Sequence, residues 1–236
     1  MPTSLRDSVQ PFLIPVHPIG RPFIAIAAAI ALALWIFFGF GGFVIGLLAT
    51  AFVAAFFRDP PRIVPLTKGL IVAPGDGRIV EVAAVEPPDE LGLEPGRRVR
   101  IAIFLSVFDV HIQRAPVGGR IARYIYTPGQ FVNAVSPDAG RDNERKAMII
   151  ETPDGTEVAV VQIAGLIARR IVTFLKEGEP LGIGERYGLI RFGSRVELYL
   201  PPGTVAQVAE GQYVRGGETV LADSQSELPP REMITI

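Results

Sequence analysis

The chain of 236 residues holds 23 basic and 24 acidic side chains, a formal net charge of −1, so no global charge suits it to nucleic acid. Cysteine is absent and histidine occurs twice, as His17 and His111, which excludes disulfides, thiolate metal centres and a multi-histidine cage; no metal is expected. The 25 glycines and 21 prolines are scattered as strand punctuation, which favours a β-rich domain, and the length allows one such domain plus an appendage.

Residues 1–22 read as an N-terminal interfacial segment that includes Arg6, Arg21 and His17, the last assigned no chemistry. Residues 23–57 carry no charge, a longer apolar run than a buried soluble helix needs, and read as embedded in a membrane. Phe38-Gly-Phe-Gly-Gly42 interrupts the run at its centre, leaving about 15 residues, or roughly 22 Å of helix, on each side. Arg6 and Arg21 precede the run, and Arg58, Arg62 and Lys68 follow it. Since Lys and Arg mark cytoplasmic faces, a helical hairpin entering and leaving on the cytoplasmic face of the cell membrane satisfies both ends. A single tilted span is the alternative.

Arg58-Asp-Pro-Pro61 ends the apolar element, because two prolines cannot continue a helix. Within residues 58–236, alternating segments at 77–85, 97–105, 119–126, 146–152, 157–164 and 195–200 are separated by turn signals such as Pro74-Gly-Asp-Gly77 and Pro153-Asp-Gly155. They predict a mostly β domain. The closing stretch 208–222 resembles the final hairpin of barrel-sandwich hybrid domains of the lipoyl and biotinyl kind, without their carrier lysine.

Functional side chains concentrate in a few places. Asp76 stands in a glycine-flanked turn, where the ordinary role of an aspartate is to satisfy backbone amides. Phe104-Leu-Ser-Val-Phe-Asp-Val-His-Ile-Gln-Arg-Ala-Pro116 carries Asp109, His111 and Arg114, expected on one face of a strand, with His111 equally readable as a satisfied core residue. Asn143-Glu-Arg145 follows a polar loop and reads as exposed charge. Gly193-Ser194 falls between candidate strands at 187–192 and 196–200. Alone it is a bulge or tight turn; in context it sets a hydroxyl beside a flexible peptide carbonyl. A serine, a histidine and an aspartate on separate loops are the ingredients of an activated nucleophile, yet the strand-turn-helix elbow of serine hydrolases is missing.

Taken together, these motifs resemble the short bacterial type of phosphatidylserine decarboxylase. The resemblance is carried by Phe57-Arg-Asp-Pro60, Ala73-Pro-Gly-Asp-Gly77, Phe104-Leu-Ser106, Asp109-Val-His-Ile-Gln-Arg-Ala-Pro116 and Asn143-Glu-Arg145. It continues through Gln162-Ile-Ala-Gly165, Ala168-Arg-Arg-Ile-Val172 and Glu185-Arg-Tyr-Gly-Leu-Ile-Arg-Phe-Gly-Ser-Arg195, so it spans essentially the whole chain.

The resemblance implies a proenzyme that cuts itself. The Ser194 hydroxyl would attack the Gly193 carbonyl, with His111 as base and Asp76 orienting it. Elimination would then separate a β chain, 1–193, from an α chain, 194–236, headed by a pyruvoyl group. That pyruvate-derived cofactor would form a Schiff base with phosphatidylserine in the membrane lipid and release CO₂, leaving phosphatidylethanolamine. The two chains would stay together as a heterodimer, with a higher homo-oligomer left open, and Arg114, Arg191 and Arg195 are candidates for the lipid phosphate. Larger relatives carry Asp-Tyr-His-x-x-His, and Arg114 stands where their second histidine would be, so either His111 serves both self-cleavage and decarboxylation or another group takes one of the two roles. The alternatives are a decarboxylase of the archaetidylserine type, a non-enzymatic membrane-tethered lipoyl-like module, and a lipid-acting serine hydrolase.

Overall fold

The computed structural model describes residues 14–132, 139–165, 170–191 and 194–226. Arg6 and Gly193, the latter one half of the expected cleavage site, lie outside them. The chain divides into two compact units, the first ending at Pro61 and the second beginning at Arg62.

The first unit is built on one apolar helix, α1 (Arg21–Phe56), broken at Gly39, whose φ of 63° and ψ of −151° are costly for a residue with a β-carbon. The break leaves arms of 18 and 17 residues, each roughly 26 Å long. These arms fold back on each other. A β-carbon on Gly46 would lie 2.4 Å from the Ala31 Cα, and the Trp35 and Phe43 rings are 5.6 Å apart. The ends also meet: Phe23 stacks on Phe57 at 5.3 Å, His17 N donates to Phe57 O at 2.9 Å, and Val16 bridges to Arg58. The helical hairpin is therefore the observed form. Its arms exceed the expected 15 residues because Gly39 is the one residue that leaves helical geometry, the other glycines of the motif staying helical.

The apolar segment has a mean hydropathy of 2.6, and Phe37, Phe38 and Phe40 at the bend are 72–79% exposed. Such a surface gains nothing from water, and it is consistent with membrane association. Because the chain has no cysteine, Phe23→Cys with Phe57→Cys gives an unambiguous reporter. The pair is expected to cross-link within one chain by a short bifunctional maleimide, detected by mass. In a straight helix the two positions would stand more than about 50 Å apart and would not react.

The second unit contains β1 (Leu70–Val72), β2 (Gly77–Val85), β3 (Arg98–Leu105), β4 (Ile112–Arg114), β5 (Gly119–Thr127), β6 (Arg145–Glu151) and β7 (Glu157–Ala164). It continues with β8 (Ile171–Thr173), β9 (Pro180–Leu181), β10 (Arg186–Ile190), β11 (Ser194–Tyr199), β12 (Tyr213–Val214) and β13 (Val220–Asp223). Eight strands form one curled antiparallel sheet in the order β12-β2-β3-β11-β7-β6-β5-β9, beside a β4-β10-β8 sheet and a β1-β13 pair. Its inner face carries Ile101, Ile103, Leu105, Val160, Val196 and Leu198, packed with Tyr187 and Ile190 of β10. Burying each such aliphatic side chain contributes about 1.5–3 kcal/mol. A smaller cluster of Ile149, Val161, Ile163 and Tyr199, with Leu91, covers the outer face.

Two expectations change here. The stretch 208–222 is not a two-stranded hairpin: a bridge of Ala206 to Ala222 draws its ends together, but β12 pairs with β2 and β13 with β1, so it supplies no lipoyl-like closing hairpin. The residues between them turn around the Asp76 loop instead, with Gly216 N donating to Asp76 Oδ1 and Gly217 N to Ala73 O, each at 2.8 Å. Second, β11, whose alternation of apolar and polar residues predicts a half-buried strand, is buried on both faces. Arg195 and Glu197 tolerate this because they neutralise each other and their neighbours, as described below.

Candidate active site

The central strands converge on one rim. There β2 begins just after Asp76, β3 ends at Leu105, β7 ends at Ala164, and β11 begins at Ser194, paired with Leu105 on one side and Ala164 on the other. Strand alternation puts the Ser194 side chain on the inner face with Val196 and Leu198. Ser194 is 0% exposed, and its Oγ has no hydrogen-bond partner among the described residues. A buried hydroxyl left unpaired is destabilising, so packing alone gives no reason for a serine at this position.

The loop after β3 brings His111 to the same rim. Its Nδ1 lies 2.9 Å from Asp109 O, and since a carbonyl can only accept, Nδ1 carries the proton and Nε2 is the basic atom. The Asp109 carboxylate fixes this loop, accepting from Ser106 N at 2.7 Å and from the Tyr213 hydroxyl at 2.8 Å. Arg114 N donates to Pro74 O at 2.9 Å, tying the segment that follows His111 to the Asp76 turn.

Asp76 is buried and held by more than its own turn. Arg62 NH2 reaches both carboxylate oxygens, at 2.9 and 2.8 Å, and Gly216 N supplies a further bond. Burial pushes the Asp76 carboxyl above its ordinary pKa, and the charge and hydrogen bonds of Arg62 only partly offset that. Arg62 had been counted among the basic residues flanking the membrane run; here its charge is taken up by Asp76, with Glu218 at 3.5 Å.

The three arginines separate. Arg195 lies on the outer face of β11, opposite Ser194, 2% exposed and paired with Glu81 at 3.0 Å and Glu197 at 2.8 Å. Arg100 joins this network through Glu81 and Glu197. Burial alone would raise the Glu81 carboxyl, but Arg100 and Arg195 outweigh it and hold the carboxyl below its usual range. Arg114 is buried and donates to Gly184 O at 3.1 Å. It does not share a face with His111, because three positions apart is an odd number of strand steps; Gln113 stands on the histidine's side. Arg191 follows β10 directly, and burial, then the neighbouring charge of Arg170, lowers its proton affinity.

Asn143 is not exposed charge, as its motif suggested. It is fully buried, bonding Val132 N and O and Ala164 O at 2.7–2.9 Å, and so pins the loop before β6 to the end of β7 beside Ser194. Sequence reasoning missed Arg62, Asp109 as a loop anchor, Arg170, and the glutamines Gln113 and Gln162. Their partners lie at distances along the chain that no local pattern encodes. A cavity of about 1100 Å³ opens at the other end of the sheet, near Glu151, Val158 and Pro201, and is lined by none of Ser194, His111 or Asp76.

A family model for phosphatidylserine decarboxylase matches residues 49–222, which include every residue of this rim. A phosphatidylserine decarboxylase proenzyme of Xanthobacter autotrophicus is 54% identical over 226 residues, 96% of either chain. One of Azorhizobium caulinodans is 54% identical over 221 residues, covering 93% of this chain and 94% of its own, and one of Nitrobacter winogradskyi 52% over 219 residues, 92% and 88%. The chain belongs to the phosphatidylserine decarboxylase family. Its family match begins inside the second arm of α1 and ends within β13, so the family region holds the whole curled sheet. Of the residues expected at the site of a decarboxylase of this family, Ser194, His111 and Asp76 converge on one rim, while Arg195 faces away.

Proposed function

We propose that this chain is a self-processing, pyruvoyl-dependent carboxy-lyase that converts phosphatidylserine to phosphatidylethanolamine. The observation that carries the reading is the buried Ser194 hydroxyl, unpaired among the described residues, at the first position of a strand locked on both sides. In self-cleavage, Oγ gives its proton to His111 Nε2 and attacks the Gly193 carbonyl carbon. An ester bond forms as the peptide C–N bond breaks, and the freed nitrogen takes up a proton. Loss of the Ser194 Cα proton then breaks the Cβ–Oγ bond and releases Gly193 as a carboxylate. Water replaces the nitrogen, which departs as ammonia, and residue 194 is left with a ketone.

The surroundings fit such a group: small, dry walls from Leu105 and Ala164, with a basic nitrogen supplied from the same rim. The pyruvoyl group supplies an electron sink for the bond between the serine carbon and its carboxylate. His111, with Nδ1–H donated to Asp109 O, takes and returns protons at Nε2. Asp76 holds the turn to which the segment after His111 is tied, through Arg114 N donating to Pro74 O. Arg191, together with Arg170, offers a cationic pair for the lipid phosphate, and Arg114 is a second candidate. Arg195 is assigned no such role, since Glu81 and Glu197 compensate its charge on the opposite face.

After cleavage the segment 194–236 still contributes β11, paired with β3 and β7, so the two chains remain one body. The hairpin, flanked by Arg21 and Arg58, anchors the protein on the cytoplasmic face of the cell membrane. The test is a denaturing gel with the intact mass of the smaller fragment. It is expected to begin at residue 194 and to be lighter than a serine-headed peptide by the mass of one ammonia. His111→Ala is expected to leave the chain uncut. A wild-type chain that stays whole refutes the reading.

A further inference from the structure

Two buried amides next to Ser194 are used by none of these steps. Gln113 of β4 and Gln162 of β7 are 0% and 1% exposed, and Gln162 Nε2 donates to Gln113 Oε1. Gln113 Nε2 and Gln162 Oε1 have no hydrogen-bond partner among the described residues. Exchanging oxygen and nitrogen in both amides reverses the donor, yet it again leaves one N–H group and one carbonyl open. An open donor and an open acceptor, both buried, suit a ligand that brings one of each.

Their position is set by register. Ser194 pairs with Ala164, and Gln162 lies two residues before Ala164 on the same inner face. That is the diagonal of a strand pair, about 7–8 Å between Cα atoms and within reach of a glutamine side chain. On β10, a β-carbon at Gly188 would come within 3.1 Å of Gln162 Nε2, so the space for this amide depends on a glycine there.

We propose that Gln113 and Gln162 recognise the amino-acid end of the serine headgroup, the open N–H donating to its carboxylate and the open carbonyl accepting from its amine. This rests on the assignment of Ser194 above and adds a specificity determinant to it. In the substrate, the carboxylate is attached to the carbon that bears the amine, so an amine at residue 194 holds the carboxylate within reach of the diagonal neighbour. Neutral amides also suit a group that must leave. An ion pair would stabilise the carboxylate and resist its loss as CO₂, whereas an amide orients it with a weaker hold. Lys146 stands directly across from Gln162 on this face, but its Nζ bonds Thr173 Oγ1 at 2.9 Å and lies 4.4 Å above the Tyr124 ring.

Self-cleaved protein reduced with borohydride binds headgroups without turning them over. Calorimetric titration in detergent would compare glycerophosphoserine with glycerophosphoethanolamine, which differ only in the carboxylate. The reduced wild type is expected to prefer the serine compound by about tenfold or more. Gln113→Met and Gln162→Met, close in shape, remove the two ends in turn: the variant lacking the open N–H is expected to lose the preference while the ethanolamine compound binds as before, and the variant lacking the open carbonyl to bind both compounds more weakly; self-cleavage on a gel reports that each has folded. Preference retained in both variants, or lost in Lys146→Met but not in them, overturns the proposal. A wild type that is never cut refutes the Ser194 assignment separately, and the same titration on the uncut chain then judges the amide pair by itself.

Discussion

Ser194→Ala is expected to yield one uncut chain that releases no CO₂ from phosphatidylserine. The substitution removes a single oxygen that bonds nothing among the described residues, so the fold loses less than about 1 kcal/mol. In the proposed reaction the hydroxyl is both the attacking atom of self-cleavage and the source of the ketone, so the expected loss is chemical rather than structural. Activity should fall on the order of 10⁶-fold or more, the lower end of what enzymes add to an uncatalysed reaction. Three measurements check this: a denaturing gel, CO₂ release from headgroup-labelled lipid, and the Tm of wild type and variant. An uncut variant that still decarboxylates would contradict the central role of this serine.

Arg62→Leu is expected to give the largest loss of stability. Both partners of the Arg62–Asp76 pair are buried, with side chains 6% and 7% exposed. Removing one member of such a pair costs about 3–5 kcal/mol, because the other charge stays buried. For a chain of this size that is a fall in Tm of roughly 10 °C. The loss should depend on pH. Burial already holds the Asp76 carboxyl above its ordinary pKa despite Arg62, and without Arg62 it rises further. A group whose folded pKa is raised favours the fold below its unfolded pKa and loses that contribution as pH rises through the folded value. The deficit of Arg62→Leu should therefore be smaller at pH 5 than at pH 8, since it grows as the carboxyl ionises. Thermal unfolding in detergent at both values checks the sign, and an equal deficit at each would show that Asp76 is not the group left exposed to the penalty. Arg62→Lys should recover part of the loss, since one ammonium can replace NH2 beside both Asp76 oxygens but has no second nitrogen for the contact that NH1 makes with Glu218.

The strands were legible because pleating has a period of two and glycine and proline mark the turns. β2 and β7 fall on the expected residues, and β3, β5, β6 and β11 differ by one residue at their ends. The hairpin of α1 was legible from a glycine motif at the centre of an uncharged run with arginines at both ends. The region 208–222 was misread because local alternation does not say which strand will be the partner. Arg195 looked like a free cation near the nucleophile for the same kind of reason. Its neutralising partner Glu81 is 114 positions away along the chain, across the sheet.

Residue chemistry and spacing alone marked an apolar N-terminal segment with a glycine break at its centre, a β body, and one serine, one histidine and one aspartate as candidates for a common reaction. Tertiary structure decided which side of each strand faces the reaction, that Arg62 rather than solvent meets Asp76, that Arg195 points away, and that two glutamines from distant strands meet beside Ser194. The division is physical. Periodicity and turn preference act over a few residues and are written locally, whereas the pairing of buried polar groups depends on register between strands that only the assembled sheet brings into contact.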